Sequence, residues 1–253
     1  MGSNRLLLNP TKTEVLWCSS RRRQHLLPTG IIRINNTPVT PVSSVRNLGV
    51  HIECDTAMKN HVTTVVRSCF AALRQIRSVR RSLTRHALIT LIRALVVSKV
   101  DYCNSVLAGV SGHLMDRLQS ILNAAARLIF SAQRTGSITP LLRELHWLRV
   151  PERIPFRLCV LVYRCLDGSA PLYLSEGIRR TTDNSARLRL RSADTTTLHV
   201  PSSRHSTLGD RSFFVAAPRA WNELPPTLRS VTSLTTFRRE LKTLLFRRSF
   251  GLN

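Results

Sequence analysis

Acidic side chains are scarce in this 253-residue chain: fourteen Asp and Glu stand against thirty-eight Lys and Arg, leaving a net charge of +24. No two of the fourteen are adjacent. Enzymes that hold two metal ions about 3.5–4 Å apart need converging carboxylates, and this chain offers few. Glu53 and Asp55 come nearest, at i and i+2 on one strand face, and a solvated strand end is the plainer reading of them. Also missing are a G-x-x-x-x-G-K-[ST] phosphate loop, G-x-G-x-x-G, H-E-x-x-H and G-x-S-x-G, so catalysis is not written into these residues alone.

Long apolar runs are missing too. A bilayer span needs about 20 apolar residues, and the longest approach, Ala87 to Val100, is interrupted by Arg93 and Lys99. No membrane partner is expected. Leu6 to Leu8 is too short for a secretory core, and the Met-Gly start lacks the Ser or Thr that myristoylation requires, having Leu6 there. The six cysteines form no C-x-x-C pair and keep no zinc spacing with histidine, so they read as reduced, mostly buried thiols. These absences together predict an intracellular protein, in nucleus or cytoplasm.

Lysine is rare as well, at Lys12, Lys59, Lys99 and Lys242 only, which leaves thirty-four arginines. The planar guanidinium suits phosphate and stacks on bases, so a polyanion is the expected partner. Averaged over a folded surface the excess charge is spaced beyond the screening length of about 8 Å, and local clusters therefore decide binding. One cluster stands out. Between Asp55 and Asp101 there is no acid, while Lys59, Arg67, Arg74, Arg77, Arg80, Arg81, Arg85, Arg93 and Lys99 all fall inside. At 100° per residue Arg67, Arg74, Arg77 and Arg81 share an arc of about 80° over ~21 Å, with Phe70 among them. That length matches about six phosphates of one strand. A solvated cationic face, with Phe70 at the edge of the core, is the alternative.

Residues 1–56 read as a small β part, with strands at Val15 to Cys18, at Ile31 to Ile34 before the turn-forming Asn35-Asn36, and at Leu48 to Ile52 around Gly49. From Ala57 the period changes. Met58, Val62, Val65, Cys69, Leu73 and Ile76 mark an amphipathic helix, and Leu114, Leu118, Ile121, Leu122, Ala125, Leu128 and Ile129 mark another. Thr84 to Val100 is apolar nearly all round, which predicts an interior helix. Thr139 reads as a cap before Pro140, and Pro151 opens a helix that Gly168 and Pro171 close. His146 beside Trp147 reads as a core histidine. Thr181 to Arg211 has weak alternation at Leu188, Leu190, Leu198 and Val200, which predicts extended or partly mobile chain before a last helix over Ser233 to Phe250.

Several long blocks carry a resemblance. LNPTKTEVLWCS (Leu8 to Ser19) and VRNLGVHIE (Val45 to Glu53) resemble the end of the palm in LINE-type, non-long-terminal-repeat retrotransposon reverse transcriptases of the chicken-repeat branch. LVVSKVDYCNSVLAGV (Leu95 to Val110), LQSILNAAARLIF (Leu118 to Phe130), the stretch from Ile138 to Leu174 and FFVAAPRAWNELPPTLR (Phe213 to Arg229) are similar to successive blocks of the same reading frame. The resemblance implies that Lys12 occupies the fourth palm motif, near an incoming triphosphate, and that Leu48-Gly49 is a primer-grip-like turn. It implies no metal ligand in this chain, because the family's magnesium-binding aspartates lie N-terminal to LNPTKTE. Residues 1–56 would be the end of a palm, 57–180 a helical thumb and 181–253 a C-terminal extension.

The expected fold is α+β and predominantly α: a small N-terminal antiparallel β part, a helical thumb-like bundle and a mixed extension. The expected function is that of a reverse-transcriptase fragment without its own catalytic aspartates. It would bind RNA or DNA template-primer by phosphate contacts from Arg67, Arg74, Arg77, Arg80, Arg81 and Arg85, with Phe70 beside them, and would not polymerise by itself. A cofactor is not expected for this chain; magnesium belongs to the complete family enzyme. The alternatives are a helical protein–protein interaction module and a non-functional genomic relic.

Overall fold

The computed structural model describes residue Asn9 and residues 12–34, 37–183, 196–203 and 209–252. The Asn35-Asn36 turn and the alternation at Leu188 and Leu190 lie outside the described residues. Two compact units divide the chain, Met1–Thr64 and Val65–Asn253.

Short strands make up the first unit. β1 (Val15–Leu16) pairs in parallel with β4 (Pro41–Val42), β2 (Ile32–Ile34) pairs antiparallel with β3 (Thr37–Val39), and β5 (Ser44–Asn47) pairs antiparallel with β6 (Val50–Glu53). Two pairs are thus antiparallel as expected, and the two-residue parallel pair is an addition. The expected strand over Leu48 to Ile52 is corrected at its start. Leu48 and Gly49, at φ +46° and +84°, are the two-residue turn between Asn47 and Val50. Positive φ at both central positions is the type I′ requirement, which matches the strand twist and lets glycine serve the second place. Leu48 takes the first place at 82% exposure. Asp55 turns the chain out of β6, its Oδ1 accepting the Ala57 N–H at 2.9 Å.

α1 (Lys59–Val79) follows, and the unit division falls within it. Its predicted stripe is the buried one: Met58, Val62, Cys69, Leu73 and Ile76 are all in the core, and Val65 is half-buried.

In the second unit a 3-10 turn (Arg80–Ser82) leads to α2 (Arg85–Ile92), which Thr84 caps by accepting the Ala87 N–H at 3.2 Å. The rod continues through a π-helical stretch (Arg93–Val97) into α3 (Ser98–Asp101). Ser98 donates its hydroxyl to the Ala94 carbonyl there, a side-chain bond that competes with the backbone ladder. The prediction of an interior helix over Thr84 to Val100 is not met. Leu88, Ile92, Val96, Val97 and Val100 are buried, while Ala94 and Leu95 face outward. Counting apolar residues had concealed a one-sided rod whose outer face is apolar in places.

α4 (Gly112–Phe130) buries all seven predicted stripe residues. α5 (Thr139–Glu144) starts at Thr139 itself, so the expected cap is corrected. Ile138 is the capping position, and the Thr139 hydroxyl instead accepts from the Arg149 guanidinium at 3.1 Å. α6 (Val150–Leu166) begins as Pro151 predicts and ends at Gly168, which has φ +74°. α7 (Leu172–Ser175), α8 (Phe213–Asn222), α9 (Pro226–Arg229) and α10 (Leu234–Phe250) complete the unit.

Residues from the final third share the core with α6. Phe237 of α10 stacks on Tyr163 of α6 with ring centroids 4.7 Å apart, and Trp221 of α8 lies 5.5 Å from Phe237. The Asn222 side chain brackets the backbone of Leu198, accepting its N–H at 2.8 Å and donating to its carbonyl at 2.9 Å. Leu198 is fully buried as a result, and it bridges to Arg180. His146 is corrected as well: at φ +51° it is exposed, and Trp147 takes the buried place. No helix among the described residues is long and apolar enough to cross a membrane.

Candidate nucleic-acid interface

The amphipathic pattern of α1 fixes where its charges go. Cys69, Ala72, Leu73 and Ile76 face the core, so the positions about 90–170° around the helix from that stripe form an outer flank clear of it. Arg67, Arg74 and Arg77 occupy that flank and are exposed. None of the three has an ion-pair or hydrogen-bond partner among the described residues. Phe70 lies in the same arc and is half-buried, at the border of the stripe.

The remaining predicted residues divide. Because α1 ends at Val79, the helical projection no longer holds for Arg80 and Arg81, and the ~21 Å stripe shortens to about 15 Å from Arg67 to Arg77. Arg81 stays exposed in the 3-10 turn that follows. Arg80 is half-buried and donates to the Ser131 hydroxyl at the end of α4. Arg85 pairs with Glu144 of α5 and lies 4.7 Å over the Phe130 ring. These two guanidinium groups are engaged within the fold, which leaves four of the six predicted arginines free to face a ligand.

On the opposite flank Lys99 donates to the Ser68 hydroxyl at 2.8 Å and lies near the Cys69 thiol. Burial pushes that thiol up to about 11, against the opposing pull of the lysine charge. Cys69 is therefore an inert core thiol directed at the Val96 carbonyl.

The residues implied by resemblance lie in the first unit. Lys12 is exposed, its N–H bonded to the Asn9 carbonyl at 3.2 Å, ahead of β1. Leu48 and Gly49 form the hairpin tip described above. Glu53 and Asp55 are half-buried, and Asp55 is occupied by its backbone turn. No group of three His, Cys, Asp or Glu capable of holding an ion is found among the described residues, so the side chains present do not fit a magnesium cage.

Sequence reading missed a second group of cations. Arg93, Arg153, Arg157 and Lys242 line one cleft in the second unit. Arg153 and Arg157 are four apart on α6, the one local signal available; Arg93 and Lys242 reach them only through the tertiary fold.

No family model, no curated protein and no solved structure matches this chain.

Proposed function

We propose that this chain is a nucleic-acid-gripping part of a retroelement reverse transcriptase, in which thumb-like helices hold RNA or DNA by its phosphates. The observation that carries this reading is the flank of α1, where Arg67, Arg74 and Arg77 stand exposed over about 15 Å with no carboxylate partner among the described residues. That length corresponds to four or five phosphates of a strand at about 3.4 Å each. Arg81 is exposed in the turn that follows. The sequence blocks from LNPTKTEVLWCS onward support the family assignment, and the I′ turn at Leu48-Gly49 is a shape suited to close approach of a strand.

Contacts of this kind fix position and carry no base code, so all sequences bind alike. The test is fluorescence anisotropy of the purified chain with labelled duplex and single strands of unrelated sequence. Affinity falling steeply with salt and indifferent to sequence supports the reading. A flat salt response, with salt-insensitive association of the protein with itself, would move it to the helical interaction module.

A further inference from the structure

A cleft in the second unit has its own chemistry. It encloses about 650 Å³, within the 300–1,000 Å³ range of small-molecule sites. Its walls come from the π-helical stretch, the α5–α6 connection, α6 and α10. Four cationic side chains face it: Arg93, Arg153, Arg157 and Lys242. Arg153 is neutralised, its Nη1 donating to both oxygens of Asp101 at 2.8 and 2.7 Å. Arg93, Arg157 and Lys242 have no carboxylate partner among the described residues. The cleft thus holds three uncompensated positive charges.

Such a cluster works against itself. Burial lowers the Lys242 ammonium below the ordinary lysine range, and the charges of Arg153 and Arg93 lower it further. An anion entering the cleft relieves that repulsion. A phosphodiester carries one negative charge, whereas a terminal phosphate carries about −1.5 to −2 near neutrality, which matches the excess better.

Two more features describe the rest of the ligand. Asn104 lines the cleft, is 4% exposed, and leaves its Oδ1 without a hydrogen-bond partner among the described residues. A buried amide oxygen without a donor is costly unless a ligand N–H or O–H meets it. His146 and Phe156 also line the cleft, and aromatic rings of this kind stack on bases.

We propose that this cleft is a phosphomonoester site that takes the terminal phosphate of a nucleotide, free or at a strand end, against Arg93, Arg157 and Lys242. The nucleoside fills the remaining volume beside Phe156 and His146, and its hydroxyl or amino group donates to Asn104. The site shares no residue with the α1 flank and does not rest on the reading given above.

The test is calorimetric titration of the full chain with adenosine 5′-monophosphate, adenosine and inorganic phosphate, and with one short strand carrying either a 5′-phosphate or a 5′-hydroxyl. The monophosphate should bind roughly tenfold or more tightly than adenosine, as expected for charge-assisted hydrogen bonds. It should also exceed inorganic phosphate. A matching gain for the 5′-phosphorylated strand identifies strand ends as the source, and a gain confined to the mononucleotide identifies free nucleotide. Lys242→Glu and Arg157→Glu, both at exposed positions, should abolish the gain while leaving the thermal melt unchanged. Arg157→Ala replaces either variant that fails to fold. Arg74→Glu with Arg77→Glu should leave mononucleotide binding intact, so a failure of the α1 grip is read separately. Equal affinity for monophosphate and adenosine, equal affinity for monophosphate and inorganic phosphate, or full binding in the folded Lys242 and Arg157 variants would overturn the proposal.

Discussion

Changing Arg74 and Arg77 together to Glu removes two of the four arginines that the fold leaves exposed on α1 and in the turn after it. If Arg67, Arg74, Arg77 and Arg81 each neutralise one phosphate, log affinity for duplex falls with log salt at a slope of about −0.9 × 4, or −3.6. Between 50 and 200 mM salt that slope is about a 150-fold loss. With two contacts gone the slope becomes about −1.8, and affinity at 0.1 M drops about 60-fold, near 2.4 kcal/mol, before any repulsion from the new carboxylates is added. Both substitutions sit on the solvent side, so the melt should move little. The assay is anisotropy across a salt series with several unrelated sequences. The reasoning fails if the double variant keeps the wild-type slope, or if the loss concerns one sequence and spares the others.

Arg85→Ala should leave nucleic-acid affinity within about twofold, because its guanidinium is held by Glu144 and the Phe130 ring; it should instead cost about 1 kcal/mol of stability in urea unfolding. Phe237→Ala should cost about 3–5 kcal/mol and speed amide exchange in α6 as well as in α10, since its ring stacks on Tyr163. Burial, with the charge of nearby His51, holds the His61 imidazole below its ordinary range. The unfolded chain then takes up the proton first, so stability is full above the ordinary histidine pKa of about 6.5 and is lost as pH falls through the lowered folded value. Urea unfolding at pH 7.5 and pH 5.0 should show that loss, and His61→Leu should flatten it. Burial raises Cys159 to about 12 and Cys69 to about 11, leaving about a thousandth of Cys69 as thiolate at pH 8. A thiol reagent at that pH should label exposed Cys18 at once and reach Cys69 and Cys159 only in denaturant.

Periodicity made α1, α4 and α10 readable, because each buries one stripe and the stripe repeats every three or four residues. Pro151 and Gly168 marked the ends of α6 for local backbone reasons. Where the chain is apolar on two sides, the same signal fails: Ala94 and Leu95 made the α2–α3 rod look interior, though only its Leu88, Ile92 and Val96 side is packed. Thr139 carried the signature of a cap, but a distant guanidinium claimed its hydroxyl. The integration of the final third was hidden because it depends on pairings such as Asn222 with Leu198, far apart in sequence. Arg67, Arg74 and Arg77 were readable from spacing alone; Arg80 and Arg85 were not, since their partners Ser131 and Glu144 belong to later elements. The cationic cleft was invisible for the same reason, its four cations coming from three separate segments.

The central claim is that nucleic acid lies along the outer flank of α1. Photo-crosslinking of the chain to an RNA containing 4-thiouridine, followed by peptide mapping, tests it most directly. Crosslinks concentrated on residues 67–81, and lost in the Arg74→Glu, Arg77→Glu double variant, are the predicted result. Crosslinks that avoid that segment, or that persist there unchanged in the double variant, would contradict it.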